Sequence, residues 1–155
     1  MGSGHLEYAG FWVRLGAAFI DTFLFLLLTM PLMHWIYGDY SFDSDDFILG
    51  GWDFLINWIL PFIATVIFWV YLSATPGKMA LKLRVVNAET GEPLSTSKSI
   101  LRYLAYFVST LPVCLGFLWI AFSSRKQGWH DMIANTVVVR PKDRGIKQVE
   151  FENRA

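Results

Sequence analysis

Two long apolar runs decide what this chain can fold into. Residues 15–37 read LGAAFIDTFLFLLLTMPLMHWIY, and residues 54–73 read FLINWILPFIATVIFWVYLS. Each is long enough to cross a hydrocarbon core of roughly 30 Å at about 1.5 Å per helical residue. The first is too long for the core of a signal peptide, and no small-residue cleavage pattern follows it. Trp52, Trp58, Trp69 and Tyr71 lie near the ends of the second, where amphipathic rings favour the membrane interface. Of the 155 residues, 54% are apolar and 17% charged. That is too much apolar surface for disorder and too little charge for an ordinary soluble domain. Cys114 is the only cysteine, which excludes a disulfide scaffold. A formal net charge of zero argues against nucleic acid as a partner.

The charges suggest a topology. Residues 38–53 carry no Lys or Arg but hold Asp39, Asp43, Asp45, Asp46 and Asp53. Lys78, Lys82, Arg84, Lys98 and Arg102 form one basic group, and seven more cations follow from Arg125 onward. Cytoplasmic loops gather Lys and Arg, so the acidic loop 38–53 is expected outside and the loop 74–97 inside. The third apolar segment, about 98–122, is interrupted by Ser109, Thr110, Pro112 and Gly116. A plain third crossing would carry the basic C-terminal part outside. A break near Pro112, giving two half-helices that enter and leave on one side, is favoured over that crossing. Leu81–Val86 and Thr136–Val139 contain β-formers and could pair in a small cytoplasmic β-hairpin or cap, with Glu89-Thr90-Gly91-Glu92 as a turn and Pro93 limiting the next segment to an edge. Ser95, Thr96 and Ser97 are N-cap candidates. The expected fold class is an all-α membrane protein: two full spans, about 12–37 and 54–73, plus the broken or re-entrant segment 98–122. One domain covers 1–140, and 141–155 reads as a charged tail that frays.

Charged groups inside the apolar runs are costly and therefore informative. Asp21 sits within the first run, and Arg14 shares its helix face about 10.5 Å earlier along the axis. That is too far for idealised side chains to touch, so a third group would have to bridge them. Gly10, Ala17 and Ala18 lie on or near the same stripe and admit a close neighbour. The stripe is either a lock between helices or part of a ligand or ion path. In the second run, Pro61 cannot donate to the carbonyl of Asn57, and Thr65 follows at the next turn. This is either an ordinary kink or a spot that coordinates a cation or water. His34 is read as an outer-interface residue. Ala74-Thr75-Pro76-Gly77-Lys78 lacks the spacing of a phosphate loop. No metal cluster, cofactor motif or catalytic Ser/His/Asp set is apparent, and the adjacency of His130 and Asp131 does not make a dyad.

Three blocks together resemble the RDD family of small membrane proteins. They are Tyr8-Ala9-Gly10-Phe11-Trp12-x-Arg14-Leu15-x-Ala17-x-x-x-Asp21; Ala74-Thr75-Pro76-Gly77-Lys78 with Leu83-Arg84-Val85-Val86; and Arg125-Lys126-Gln127-Gly128-Trp129-His130-Asp131. The resemblance implies that Arg14, Asp21 and Asp131 are the residues the family is named for, with Arg102 as a recurrent arginine. It also implies a role in transport, sodium/proton antiport being attributed to some members. On this reading Arg14, Asp21 and Asp131 form an ion or ligand cluster, supported by Asn57, Thr65, Arg102 and His130. The alternative is a non-catalytic accessory or assembly subunit, in which the same charges staple helix ends. A thinner idea is lipid or quinone binding among the aromatics. The expected partners are the lipid bilayer and either further copies of the chain or other membrane subunits. The expected location is the bacterial cytoplasmic membrane, with both termini inside.

Overall fold

The two apolar runs fold as the two longest helices. The computed structural model describes residues 6–39, 44–112 and 114–142. Chain order is β1 (Leu6–Tyr8), α1 (Phe11–Tyr37), α2 (Gly51–Leu72), α3 (Pro76–Ala80), β2 (Arg84–Asn87), α4 (Thr96–Thr110), α5 (Leu115–Phe122), α6 (Trp129–Ile133) and β3 (Thr136–Pro141). Helices α1 and α2 are long and apolar enough to cross a membrane. They leave Phe19, Phe23, Leu27, Ile63, Ile67 and Tyr71 exposed. Such a continuous apolar surface is a liability in water and the expected outer face in lipid. Helix α2 begins three residues before the run read from the sequence. Its turn over Leu55–Ile59 is widened, with the Leu60 N–H reaching back to the Leu55 carbonyl. That π turn directly precedes Pro61, which lacks the N–H an ordinary turn would need.

The sheet differs from the expected hairpin. Its order is β1-β3-β2, and both pairs are antiparallel. Val85 faces Val138, and Tyr8 faces Val139. The two strands expected to pair do so, but α4, α5 and α6 lie between them in sequence, so no hairpin forms. The turn at 89–92 does form. Gly91 takes φ +71° and its N–H bonds the Asn87 carbonyl at 2.9 Å, but the chain then leads into α4 and not into an edge strand. Ser95 caps α4 by accepting from the Lys98 N–H at 3.4 Å.

The core lies where the sheet meets the start of α1 and the end of α2. Ala9, Ala17, Trp69, Leu83, Val85, Leu94 and Val138 are buried together, with Val13, Tyr103 and Tyr106 against them. Helices α4 and α5 meet at 99°. A Cβ on Gly116 would sit 2.6 Å from the Ser109 Cα, so the missing side chain lets the two helices close on each other. The frayed tail expected over 141–155 lies almost wholly outside the described residues, as does Asp43 of the acidic loop.

Candidate functional site

Asp131 is the third residue of α6, a helix of one turn that could not persist alone. Its Oδ2 accepts the Gly128 N–H at 2.8 Å, closing the helix start, and also takes Nη2 of Arg14 at 2.6 Å. Its Oδ1 pairs with Nη1 of Arg102, which also donates to the Thr136 hydroxyl. The Oδ1 contact is an ion pair and not an aligned hydrogen bond. Asp131 and Arg102 are fully buried, and Arg14 nearly so. Among the described residues, Nε and Nη2 of Arg102 have no hydrogen-bond partner. The guanidinium instead lies 5.2 Å from the Trp69 ring centre and 5.9 Å from that of Tyr106, within cation–π range. Arg14 also donates to the Lys126 carbonyl at 2.7 Å. One carboxylate thus ties the start of α1, the middle of α4 and the start of α6.

His130 completes this knot. A guanidinium only donates, so the 3.3 Å contact from Arg14 Nη2, shorter than the 3.5 Å approach of Asp131 Oδ1, assigns the acceptor role to Nε2. Nδ1 then carries the proton and faces Ser109 Oγ at 3.2 Å, while that same oxygen accepts the His130 N–H at 3.1 Å. Burial pulls His130 well below the usual 6.5; Arg102 and Arg14 add to this, and Asp131 opposes it. Burial would raise Asp131, but Arg102 and then Arg14 hold it well below the usual carboxylate range. Both groups have folded values beneath their unfolded ones, so both stabilise at neutral pH and lose that contribution as pH falls. Below about pH 6.5 the unfolded chain takes up the His130 proton first. We expect the thermal midpoint in detergent to be level from pH 8 to 7 and to fall from pH 6.5 to 5, as stability drops by roughly 1 kcal/mol per pH unit. His130→Asn should flatten that slope. A wild-type midpoint unchanged down to pH 5 would contradict the neutral assignment.

Asp21 does not join the Arg14–Asp131 pair. It accepts from the Thr75 hydroxyl at 2.5 Å and from the Gly77 N–H at 2.7 Å. It therefore fixes the start of α3, whose first turn has donors to satisfy. The small stripe on α1 is used here. A Cβ on Gly77 would lie 2.1 Å from the Ala17 carbonyl oxygen. The neighbour that approaches is thus a single turn of helix, not another long one. The segment 74–78, which could be mistaken for a phosphate loop, supplies this turn.

Arg14, Asp21, Lys78 and His130 share the wall of a cavity of about 740 Å³ between α1, α2 and the α4–α5 pair. Thr65 and Pro61 also line it, but Asn57 does not. Asn57 turns to Asp53 four residues earlier, whose other oxygen accepts the Leu49 N–H at 2.9 Å. The Tyr37 hydroxyl accepts the Asp53 N–H at 3.2 Å, which links the far ends of the two spans. His34 is exposed, 3.9 Å from Asp39. Sequence reasoning missed Ser109, Thr75, Gly77 and Thr136. Thr75 and Gly77 stand in the Ala74–Lys78 block, Thr136 in a β-forming run and Ser109 as a polar residue inside an apolar segment, but none of these signals pointed to the site.

Two membrane-length helices bound at one end to a small sheet by a buried arginine–aspartate knot define a small integral membrane protein. The chain matches the RDD family over residues 8–135, and it belongs to that family. It is 32% identical to the "Uncharacterized protein YxaI" of Bacillus subtilis over 147 residues, covering 84% of this chain and 96% of the relative. It is 30% identical over 141 residues to the "Uncharacterized membrane protein YteJ" of the same species, covering 87% and 82%. A shorter match, 41% identical over 75 residues, is to the "Uncharacterized protein RP437" of Rickettsia prowazekii, covering 48% and 41%. No solved structure gives a significant match.

Proposed function

We propose that this chain is a non-catalytic subunit or assembly module of a larger membrane complex in the bacterial cytoplasmic membrane. The observation that carries the reading is the enclosure of Asp131 between Arg14 and Arg102. A carboxylate gripped by two buried guanidiniums is poorly suited to taking up and releasing protons, and well suited to holding helix ends in register. Ser109 and His130 are in contact, but Ser109 is fully buried and is not on the cavity wall. A serine so placed has no room for a substrate. The sheet and both termini are assigned to the cytoplasmic side by the charge bias. The α4–α5 pair is assigned a re-entrant path. Supporting it, α4 and α5 meet at 99°, and Asp131, which follows them in the chain, pairs with Arg14 at the start of α1. A single crossing would carry the chain that follows α5 to the membrane face opposite Arg14.

A second reading, exchange of a cation for protons through a homo-oligomer, is favoured by one observation. Asp21 is half-buried and lies on the wall of the large cavity. One experiment separates the two. Extracted from its own membrane in mild detergent, the chain should co-purify at fixed stoichiometry with other membrane subunits. If it instead runs as a homogeneous self-assembly, and its vesicles show pH-driven cation flux that Asp21→Asn abolishes, exchange is the function.

A further inference from the structure

The charged groups of the large cavity lie between its sheet end and the level of Asp21, and beyond them the wall is mostly apolar, with Thr22 and Thr65 as uncharged exceptions. Its wall on α1 follows one face from Arg14 to Leu28, a rise of about 21 Å. Arg14 and His130 sit toward the sheet and Asp21 midway, with Lys78 linked to it through Thr75, whereas Leu24, Phe25, Leu28, Pro61 and Ala64 line the far part. That length exceeds the ~15 Å of hydrocarbon in one leaflet. Volume limits the occupant. A helix 10–12 Å across displaces roughly 400–600 Å³ per turn. A cavity of about 740 Å³ therefore takes little more than one turn of a partner helix. It is within the roughly 300–1,000 Å³ typical of small-molecule sites, and a narrow flexible chain could occupy its full length.

Charge limits the occupant further. Two cations, Arg14 and Lys78, face the cavity against one carboxylate, Asp21. Both Asp21 oxygens already accept bonds from Thr75 and Gly77. Arg14 is engaged by Asp131 and the Lys126 carbonyl. Among the described residues Lys78 makes one long bond, 3.4 Å to the Thr75 hydroxyl, and its Nζ lies 6.0 Å from the Trp69 ring centre. An ammonium has three donors. The polar end of an apolar cavity thus holds a half-buried cation with donors to spare and a local surplus of positive charge. We propose that the cavity binds the acyl chain of an anionic amphiphile, its negative head on Lys78 and its tail among Phe25, Leu28, Pro61 and Ala64. The site is independent of whether the chain acts as a subunit or an exchanger.

The test is equilibrium binding of radiolabelled oleate to the full chain, purified and delipidated in a non-ionic detergent. Saturable binding near one oleate per chain is expected. Oleyl alcohol, with the same tail and no charge, should compete about tenfold more weakly, and acetate, a head without a tail, should not compete. Lys78→Gln should weaken oleate about tenfold and leave oleyl alcohol unchanged. Ala64→Phe, which fills the apolar part, should abolish both. Phosphatidylglycerol competes if the natural occupant is a membrane lipid and fails to compete if it is a free acid. Non-saturable oleate binding, equal affinity for oleate and the alcohol, or no change in Lys78→Gln would each overturn the proposal. Lys78 is not part of the buried core, so that variant remains decisive if Ala64→Phe does not fold.

Discussion

Replacing Asp131 by asparagine should cost about 3–5 kcal/mol of stability and leave little monodisperse protein in detergent. The change preserves shape and volume, so packing does not account for the loss. Charge does. Arg102 is fully buried, and among the described residues two of its nitrogens have no hydrogen-bond partner even with the carboxylate present. Its remaining stabilisation comes from Asp131, the Thr136 hydroxyl and the faces of Trp69 and Tyr106. Removing the negative charge leaves two guanidiniums facing one neutral amide in a low-dielectric interior. The amide also weakens the cap on α6, where the carboxylate accepts the Gly128 N–H. Size-exclusion profile and thermal midpoint are the measurements. The double variant Asp131→Asn with Arg102→Met should recover part of the midpoint, because it removes the most deeply buried unpaired cation. A single variant that melts with the wild type would mean that the knot contributes nothing.

The parts of this architecture that were legible in the sequence are those with a local period or composition. The spans around 15–37 and 54–73 announce themselves, because only apolar residues can face lipid over that length. A cap among Ser95, Thr96 and Ser97 was legible because a cap is defined by its own helix, though which of the three forms it was not. Strand β1 was not legible. Three residues cannot display an alternation, and Leu6–Tyr8 is a strand only because β3 offers an edge. The bond from Asn57 to Asp53 follows helical i, i+4 spacing and could have been read, but Pro61 drew attention to the wrong neighbour. The contacts of Arg14 with Asp131 and of Asp21 with Thr75 and Gly77 join residues far apart in the chain. Spacing holds no trace of them. Only resemblance to a family brought Arg14, Asp21 and Asp131 into view together, and it suggested one cluster where the structure has two adjoining ones. Arg14 and Asp21 share a helix face as expected, but each turns to a different partner.

Gly77→Ala should be as damaging as any change at a charged residue, although it adds one methyl group to a short helix. The reason lies in the atoms opposite. The added Cβ would meet the Ala17 carbonyl oxygen at 2.1 Å, and the Asp21 Cγ and backbone nitrogen at 2.9 Å. Two of these three are backbone atoms in the middle of α1, so no rotamer change can make room. Either α3 moves away from α1, or the Gly77 N–H to Asp21 bond of 2.7 Å breaks. Either movement leaves the Asp21 carboxylate half-buried without its donors, adding an electrostatic penalty to the steric one. A loss of about 3 kcal/mol or more is expected, a fall of roughly 6–12 °C in the thermal midpoint for a chain of this size. The pattern of rescue identifies the cause. Thr75→Val removes one Asp21 donor without a clash and should cost only about 1–2 kcal/mol. If Gly77→Ala costs no more than Thr75→Val, the close approach of α3 to α1 is wrong, and Asp21 owes its position to hydrogen bonding alone.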